Sequence, residues 1–123
     1  MTAPDCLFCS IVAGDVPASV VRRGERTVAF RDINPQAPVH VLVVPTTHQP
    51  DAARLTAADP ALMAEVISDA VAVAEQEGLV RTGYRLITNT GRDAGQTVHH
   101  LHVHVLGGEG LGGMTGGPVK VAG

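Results

Sequence analysis

The segment HLHVHVL at residues 100–106 alternates strictly between histidine and apolar residues. Side chains of a β-strand point to opposite faces in turn, so His100, His102 and His104 share one face, with about 6 to 7 Å between neighbours. The pattern therefore predicts a strand whose apolar face is buried in a core and whose other face carries a row of three imidazoles. A solvent-exposed polar face is the alternative, although such a face more often carries Thr, Lys, Glu or Arg.

The rest of the sequence predicts a single α+β domain around this strand. Apolar residues three to four apart indicate a short N-terminal helix that ends at Gly14. Asp59 before Pro60 is typical of a helix start, and an apolar stripe follows as far as Gly78. Four β-like runs at 20–22, 27–31, 40–44 and 84–88 precede the histidine strand. Because the helices do not alternate regularly with the strands, we expect a five-stranded antiparallel sheet with one short and one long helix.

Length and composition narrow the function classes. A chain of 123 residues fits one domain, here residues 1–108, followed by a glycine-rich tail at 109–123. The apolar runs are too short to span a bilayer, and the N-terminus lacks a secretion signal. The nine Lys and Arg residues are scattered and the net charge is −3, unlike the basic surface of a nucleic-acid-binding protein. We expect a cytoplasmic protein with neither a membrane nor a nucleic-acid partner.

The histidine row is compatible with two kinds of chemistry, because imidazole both ligates zinc and attacks phosphorus. The preceding segment NTGRDAGQTV supplies hydrogen-bond donors at Asn89, Gln96 and Thr97 and flexible backbone at Gly91 and Gly95, a combination suited to an anion. The row contains no carboxylate of the kind that a hydrolytic zinc site often includes. These residues favour phosphoryl-group chemistry.

Cys6 and Cys9 are the only cysteines and form one C-x-x-C motif. In a reducing compartment this motif indicates a metal site or a redox pair rather than a structural disulfide. Two buried small residues without further function are the remaining interpretation.

Taken together, these motifs resemble the histidine triad family of nucleotide hydrolases and transferases, whose signature HLHVHVL fits. AFRDINPQAPVHVLVVPTTH and GYRLITNTGRDAGQTVHHLHVHVLGG resemble the two characteristic blocks of the family in order and spacing. The resemblance covers residues 6–108, and the VLGG ending is closer to the purine nucleoside phosphoramidases than to the dinucleoside polyphosphate hydrolases. It implies a zinc-containing homodimer in which two sheets pair into one ten-stranded sheet.

The resemblance also implies roles for individual residues. His102 would be the nucleophile that forms a covalent nucleotidyl-histidine, with His40 supporting its protonation state. His104 would contact the α-phosphate, and Thr97 would assist the departing group. The phosphate would also be contacted by Asn89, Gly95 and Gln96.

For the nucleoside, the resemblance implies that Asp32 accepts hydrogen bonds from the ribose hydroxyls. The apolar residues expected around the purine base are Phe8, Phe30, Ile33 and Leu42. An ordinary place in the core is the alternative for these four side chains.

Some relatives bind zinc through a pair of cysteines, and by resemblance the ligands here would be Cys6, Cys9, His48 and His100. His99 is the alternative fourth ligand, although it points to the face opposite His100. Such a site is structural, since no coordination position stays open for water.

The expected activity is hydrolysis of purine nucleoside 5′-phosphoramidates or acyl-nucleotides. The stretch PTTH lacks the lysine common before that histidine, and the tail lacks the tryptophan that some phosphoramidases extend across a dimer interface. These departures leave the substrate preference open. The alternatives are a dinucleoside polyphosphate hydrolase, a nucleotide-binding interaction module with low turnover, and a zinc-binding structural protein without nucleotide affinity.

Overall fold

A computed structural model describes residues 5–115, so the predicted tail lies outside the described residues from 116 onward. Residues 5–115 form three α-helices, five β-strands and one 3₁₀ turn at Arg92–Ala94. In chain order the main elements are α1 Leu7–Ala13, β1 Val20–Arg23, β2 Thr27–Arg31, β3 Val39–Pro45, α2 Ala52–Ala58, α3 Pro60–Gln76, β4 Tyr84–Ile87 and β5 Val103–Gly107.

The five strands form one antiparallel sheet in the order β1-β2-β3-β5-β4. This topology confirms the predicted fold class. The central strand β3 pairs Leu42 with Phe30 of β2 on one side and with His104 of β5 on the other. The apolar residues expected around a base and the last histidine of the row therefore lie side by side on the sheet.

The two faces of the sheet pack against different helices. On one face, Ala29, Val41, Val43, Val103 and Val105 pack against the apolar stripe of α3 and form the main core. On the other face, the alternate residues of β2 and β3 pack with two side chains of α1 in a second cluster, formed by Phe8, Ile11, Val28, Phe30, Leu42 and Val44. The histidine row belongs to the α1 face, because the apolar residues between the histidines face α3.

The long helix begins as the sequence predicts. The Asp59 side chain accepts a hydrogen bond from the Leu62 amide, and Pro60 occupies the first turn. No sequence pattern indicated α2, whose only buried residue is Leu55. One buried position in seven residues does not produce an apolar stripe. Within residues 5–115, no helix is both long enough and apolar enough to cross a membrane.

The histidine strand is shorter than predicted. Its ladder with β3 ends at the pair Val43–Val103, and Pro45 at the end of β3 has no amide hydrogen to extend it. The segment before β5 is instead held by a hydrogen bond to the loop after β3: the Leu101 amide donates to the Gln49 carbonyl at 2.7 Å. Side chains nevertheless keep the predicted alternation, since Leu101 is buried in the main core.

The sheet has two edges, β1 and β4. The register of β1 is interrupted between Val20 and Arg22, an irregularity that discourages pairing with another chain. Strand β4 is paired regularly with β5 along Tyr84–Ile87. The pairing of two sheets into a homodimer stays a prediction, and β4 is the edge better suited to it.

Candidate active site

A cavity of about 280 Å³ opens on the α1 face of the sheet beside β5, and we call it the histidine cavity. Ile33 stands at its rim with 97% of its surface exposed, too much for a core residue. The sequence-predicted residues that line the cavity are Phe8, Phe30, Asp32, Ile33, Leu42, Thr97, His102 and His104. The fold thus brings together the predicted base-lining residues, the predicted ribose acceptor and two members of the histidine row.

The protonation of His102 is set by the backbone. Its Nδ1 lies 2.8 Å from the carbonyl oxygen of His100, and a carbonyl only accepts, so the ring hydrogen resides on Nδ1. The Nε2 atom consequently carries a free lone pair. Burial lowers the pKa of His102, against the opposing effects of this hydrogen bond and of Asp32. His102 is therefore a neutral imidazole with a nucleophilic Nε2.

A second hydrogen-bond chain, through His40, sets the tautomer of His104. The sequence predicted that His40 would support His102, but the His40 ring bonds to His104 and the Nδ1 of His102 bonds to the His100 carbonyl. The Gln36 amide donates to Nδ1 of His40 at 3.0 Å, so a neutral His40 carries its hydrogen on Nε2. That Nε2 lies 2.8 Å from Nδ1 of His104 and donates to it. His104 must then carry its own hydrogen on Nε2, which is the donor required for a phosphoryl oxygen.

The same two histidines are kept neutral by burial. Burial, followed by the neighbouring His102 and His40, lowers the pKa of His104 from 6.5 to about 4. Burial also lowers the pKa of His40, although Asp32 opposes the shift with Oδ2 3.4 Å from Nε2 of His40. The other oxygen of Asp32 accepts from the Asn34 amide at 2.8 Å, which orients the carboxylate at the cavity wall.

The loop before the histidine row contributes less to the cavity than predicted. Thr97 lines it, whereas Asn89, Gly95 and Gln96 do not. Both the amide and the side-chain oxygen of Gln96 are bonded to Gly91, at 3.1 and 2.9 Å. Gln96 therefore holds the loop in shape, and contacts of Asn89, Gly95 and Gln96 with a phosphate stay predictions.

Several residues that line the cavity carried no signal in the sequence. Val16, Pro17 and Ala18 belong to the loop between α1 and β1, which has no motif. Thr88, also missed, donates its hydroxyl to the His102 carbonyl at 2.9 Å and fixes the backbone of His102. Such contacts join segments far apart in sequence, and no local pattern predicts them.

Four potential metal ligands lie together next to His102, on the side of His100. The ligand atoms of Cys6, Cys9, His48 and His100 all lie within 4.8 Å of one another. His100 is fully buried, and its Nε2 donates to the Pro45 carbonyl at 2.9 Å, so its Nδ1 carries the free lone pair. This Nδ1 lies 3.3 to 3.5 Å from three other potential ligand atoms. A single lone pair cannot accept hydrogen bonds from all three.

The spacing of these atoms fits a tetrahedral metal. Zinc bonded to sulfur at about 2.3 Å and to nitrogen at about 2.0 Å places neighbouring sulfur and nitrogen atoms about 3.5 Å apart, and two nitrogens about 3.3 Å apart. The observed sulfur-to-nitrogen distances are 3.3, 3.4 and 3.5 Å, and Nδ1 of His48 lies 3.3 Å from Nδ1 of His100. The exposed His99 is not part of the cluster, so His100 is the fourth candidate ligand.

Comparison with known proteins agrees with this geometry. The family model described as the HIT domain matches residues 13–111. The chain belongs to the HIT domain family. This HIT protein is 41% identical over 112 residues to a purine nucleoside phosphoramidase of Escherichia coli strain K12, covering 91% of this chain and 94% of that protein. It is 44% identical over 107 residues to a HIT-like protein of Synechococcus elongatus, covering 87% and 93%.

Solved structures give the same assignment. A HIT family hydrolase from Legionella pneumophila matches with a TM-score of 0.85 and 41% identity, over 89% of this chain and 98% of that one. A HIT family hydrolase from Clostridium thermocellum matches with a TM-score of 0.86 and 42% identity, over 90% and 96%. The family resemblance predicted from the sequence is confirmed, and the HIT protein described here is a histidine triad hydrolase.

Because burial keeps the His104 ring neutral in the folded protein, we expect the protein to lose stability in mild acid. The unfolded chain protonates His104 near pH 6.5, whereas the folded ring stays neutral until about pH 4. The stability that this ring contributes is therefore present above pH 6.5 and is lost as the pH falls through that window. The free energy of unfolding can be measured with urea at about pH 7.5 and at about pH 4.5. Its decrease between the two pH values should be smaller for His104→Gln than for the wild type. An equal loss in both proteins would contradict the assignment.

Proposed function

We propose that this hydrolase cleaves purine nucleoside 5′-phosphoramidates, or acyl-nucleotides, to the nucleoside monophosphate. The proposal rests on the opposite tautomers of two histidines that line one cavity. The Nε2 atom of His102 is bare, whereas the Nε2 atom of His104 carries a hydrogen. A nucleophile and an anion-binding donor are the two groups that covalent transfer of a phosphoryl group requires. The phosphoramidase activity named for the Escherichia coli relative supports the same class of substrate.

The cavity offers separate surfaces to the parts of a nucleotide. Phe30 and Leu42 belong to the buried sheet face and Phe8 to α1, so together they form an apolar wall for the purine base. The Asp32 carboxylate accepts two hydrogen bonds and suits the ribose hydroxyls. Ile33 at the rim would cover the base once a nucleotide is bound. This placement directs the α-phosphate toward the histidines.

In the first step, Nε2 of His102 attacks the α-phosphorus and the phosphorus–nitrogen bond breaks. The amine departs with a proton, for which the Thr97 hydroxyl and water at the open side of the cavity are the available donors. The ring of His102 gains positive charge as its Nε2–phosphorus bond forms, and the hydrogen bond from Nδ1 to the His100 carbonyl stabilises that charge. The Nε2 hydrogen of His104 binds a non-bridging oxygen.

In the second step, water attacks the phosphorus of the nucleotidyl-histidine. The bond to Nε2 of His102 breaks, and the attacking water gives one proton to solvent at the open side of the cavity. The nucleoside monophosphate is released and the imidazole returns to its neutral form. Two displacements with moderate barriers replace one difficult displacement.

Replacing the nucleophile tests the proposal. His102→Ala should lower the turnover of an adenosine phosphoramidate by more than about 10³-fold, because no other bare imidazole nitrogen faces the α-phosphate. The dissociation constant for AMP, measured by calorimetry, should stay close to that of the wild type, since the base wall and Asp32 are untouched. Substantial turnover by His102→Ala would refute the proposed nucleophile.

We also propose that the four-residue cluster binds a structural zinc ion. When bound, the metal would cross-link α1 to the loop after β3 and to the segment before β5. The support is the match between the observed spacing of the ligand atoms and a tetrahedral site, together with the free Nδ1 of His100. Cys6, Cys9, His48 and His100 leave no position open for water, so the metal takes no part in the reaction.

Metal content gives a test of the zinc site that does not depend on activity. The purified protein should contain about one zinc ion per chain, and Cys9→Ser should lose it and unfold at a lower urea concentration. His99→Ala is the matched control and should retain the full amount of zinc, because His99 lies outside the cluster. A zinc-free wild type whose stability does not respond to a strong chelator would rule out the site.

A further inference from the structure

A second cavity, of about 400 Å³, lies next to the histidine cavity, and we call it the side cavity. It is formed by the segment before α1, the loop after β3 and the segment before β5. Its lining consists of Asp5, Cys6, Leu7, His48, Thr97, Val98 and His99. Three of these residues, Leu7, Thr97 and Val98, also line the histidine cavity. The two cavities therefore share one wall.

The shared wall stands where a leaving group would depart. In a displacement at phosphorus, the attacking and leaving atoms lie roughly in line on opposite sides of the phosphorus. His102 supplies the attacking atom, and the apolar wall and Asp32 take up the nucleoside end. Thr97 borders both cavities, so the path past it leads from the phosphorus into the side cavity.

The side cavity has the wrong charge for a phosphate and a suitable one for a cation. Among the described residues that line it, Asp5 is the only carboxylate, and none is Lys or Arg. A zinc ion at the neighbouring cluster would leave this balance unchanged, because two thiolates neutralise its charge. In the histidine cavity, Arg31 is the only Lys or Arg of the lining, and it is paired with Glu77 at 2.7 Å.

We infer that the side cavity receives the leaving group and that Asp5 favours amines bearing a second, positively charged group. The inference rests on the proposed function, whose leaving amine it specifies. The bond changes are those of the first step: the Nε2–phosphorus bond forms, the phosphorus–nitrogen bond breaks, and the amine takes up one proton. The distal ammonium of the leaving group stays protonated beside the Asp5 carboxylate throughout. A second nucleotide with its phosphates, in contrast, would meet the Asp5 carboxylate and, among the described lining residues, no Lys or Arg.

Three adenosine phosphoramidates of nearly equal leaving-group size test the inference. Their amines are 1,2-diaminoethane, propylamine and β-alanine, whose distal groups are cationic, neutral and anionic. Asp5→Asn should lower the ratio of kcat/KM for the diamine to kcat/KM for propylamine by about 3- to 5-fold, the size expected for a partly exposed ion pair. Because each variant is compared on the same substrates, differences in intrinsic reactivity cancel.

Two matched variants control the experiment. Asp5→Glu keeps the charge and should keep the wild-type ratio. Asp15→Asn removes one exposed carboxylate that lines neither cavity and should also keep the ratio. Added salt should lower the ratio in the wild type and have little effect on it in Asp5→Asn, because exposed charges are screened.

The outcomes separate this inference from the proposed function. Hydrolysis of all three compounds with the same ratios in wild type and Asp5→Asn would overturn the role of Asp5 and leave the phosphoramidase activity intact. A wild-type kcat/KM for a dinucleoside polyphosphate above that for the diamine compound would contradict the charge selection by the side cavity. Failure of the wild type to hydrolyse any of the three amides would overturn the proposed function and this inference with it.

Discussion

The hydrogen bond from Nδ1 of His102 to the backbone carbonyl of His100 is the interaction on which the site depends. A carbonyl oxygen has no hydrogen to give, so this contact leaves only one neutral tautomer for His102 and exposes its Nε2. The carbonyl is itself held firmly, since the His100 side chain is fully buried and donates to the Pro45 carbonyl. His100 thus contacts His102 through its backbone carbonyl and the group Cys6, Cys9 and His48 through its ring.

The sheet brings the second histidine pair together with the opposite tautomer. His40 and His104 lie on the adjacent strands β3 and β5. Their rings meet diagonally, because His104 pairs with Leu42, two residues along β3 from His40. The Gln36 amide donates to His40, whereas a carbonyl accepts from His102, and this difference gives His104 and His102 opposite protonation patterns. Burial then keeps these rings neutral at a pH where free histidine begins to charge.

Much of this arrangement could be predicted from alternation alone. A strict two-residue period assigns His100, His102 and His104 to one face and their apolar neighbours to the other, whatever the exact length of the strand. The length itself depends on Pro45, which is distant in sequence, and so β5 is shorter than predicted. Helix α2 was missed because one buried leucine forms no stripe.

The tautomers, in contrast, could not be predicted, because they are set by contacts that no local pattern reveals. The acceptor of the His100 ring is 55 residues away, and the hydroxyl that anchors the His102 backbone comes from Thr88. Gln96 is another example of a contact that no local pattern reveals. From the sequence its amide is suited to bind an anion, whereas in the structure its side chain holds its own loop. The side cavity likewise depends on packing between the segment before α1 and the segment before β5.

The central claim is that His102 is a neutral imidazole protonated on Nδ1. A spectrum that correlates the ring nitrogens and ring hydrogens of ¹⁵N-labelled histidine at neutral pH, with His102→Ala used to assign the resonance, measures this directly. We expect a protonated Nδ1 and a bare Nε2 for His102, together with a protonated Nε2 and a bare Nδ1 for His104. A His102 ring protonated on Nε2, or on both nitrogens, would contradict it.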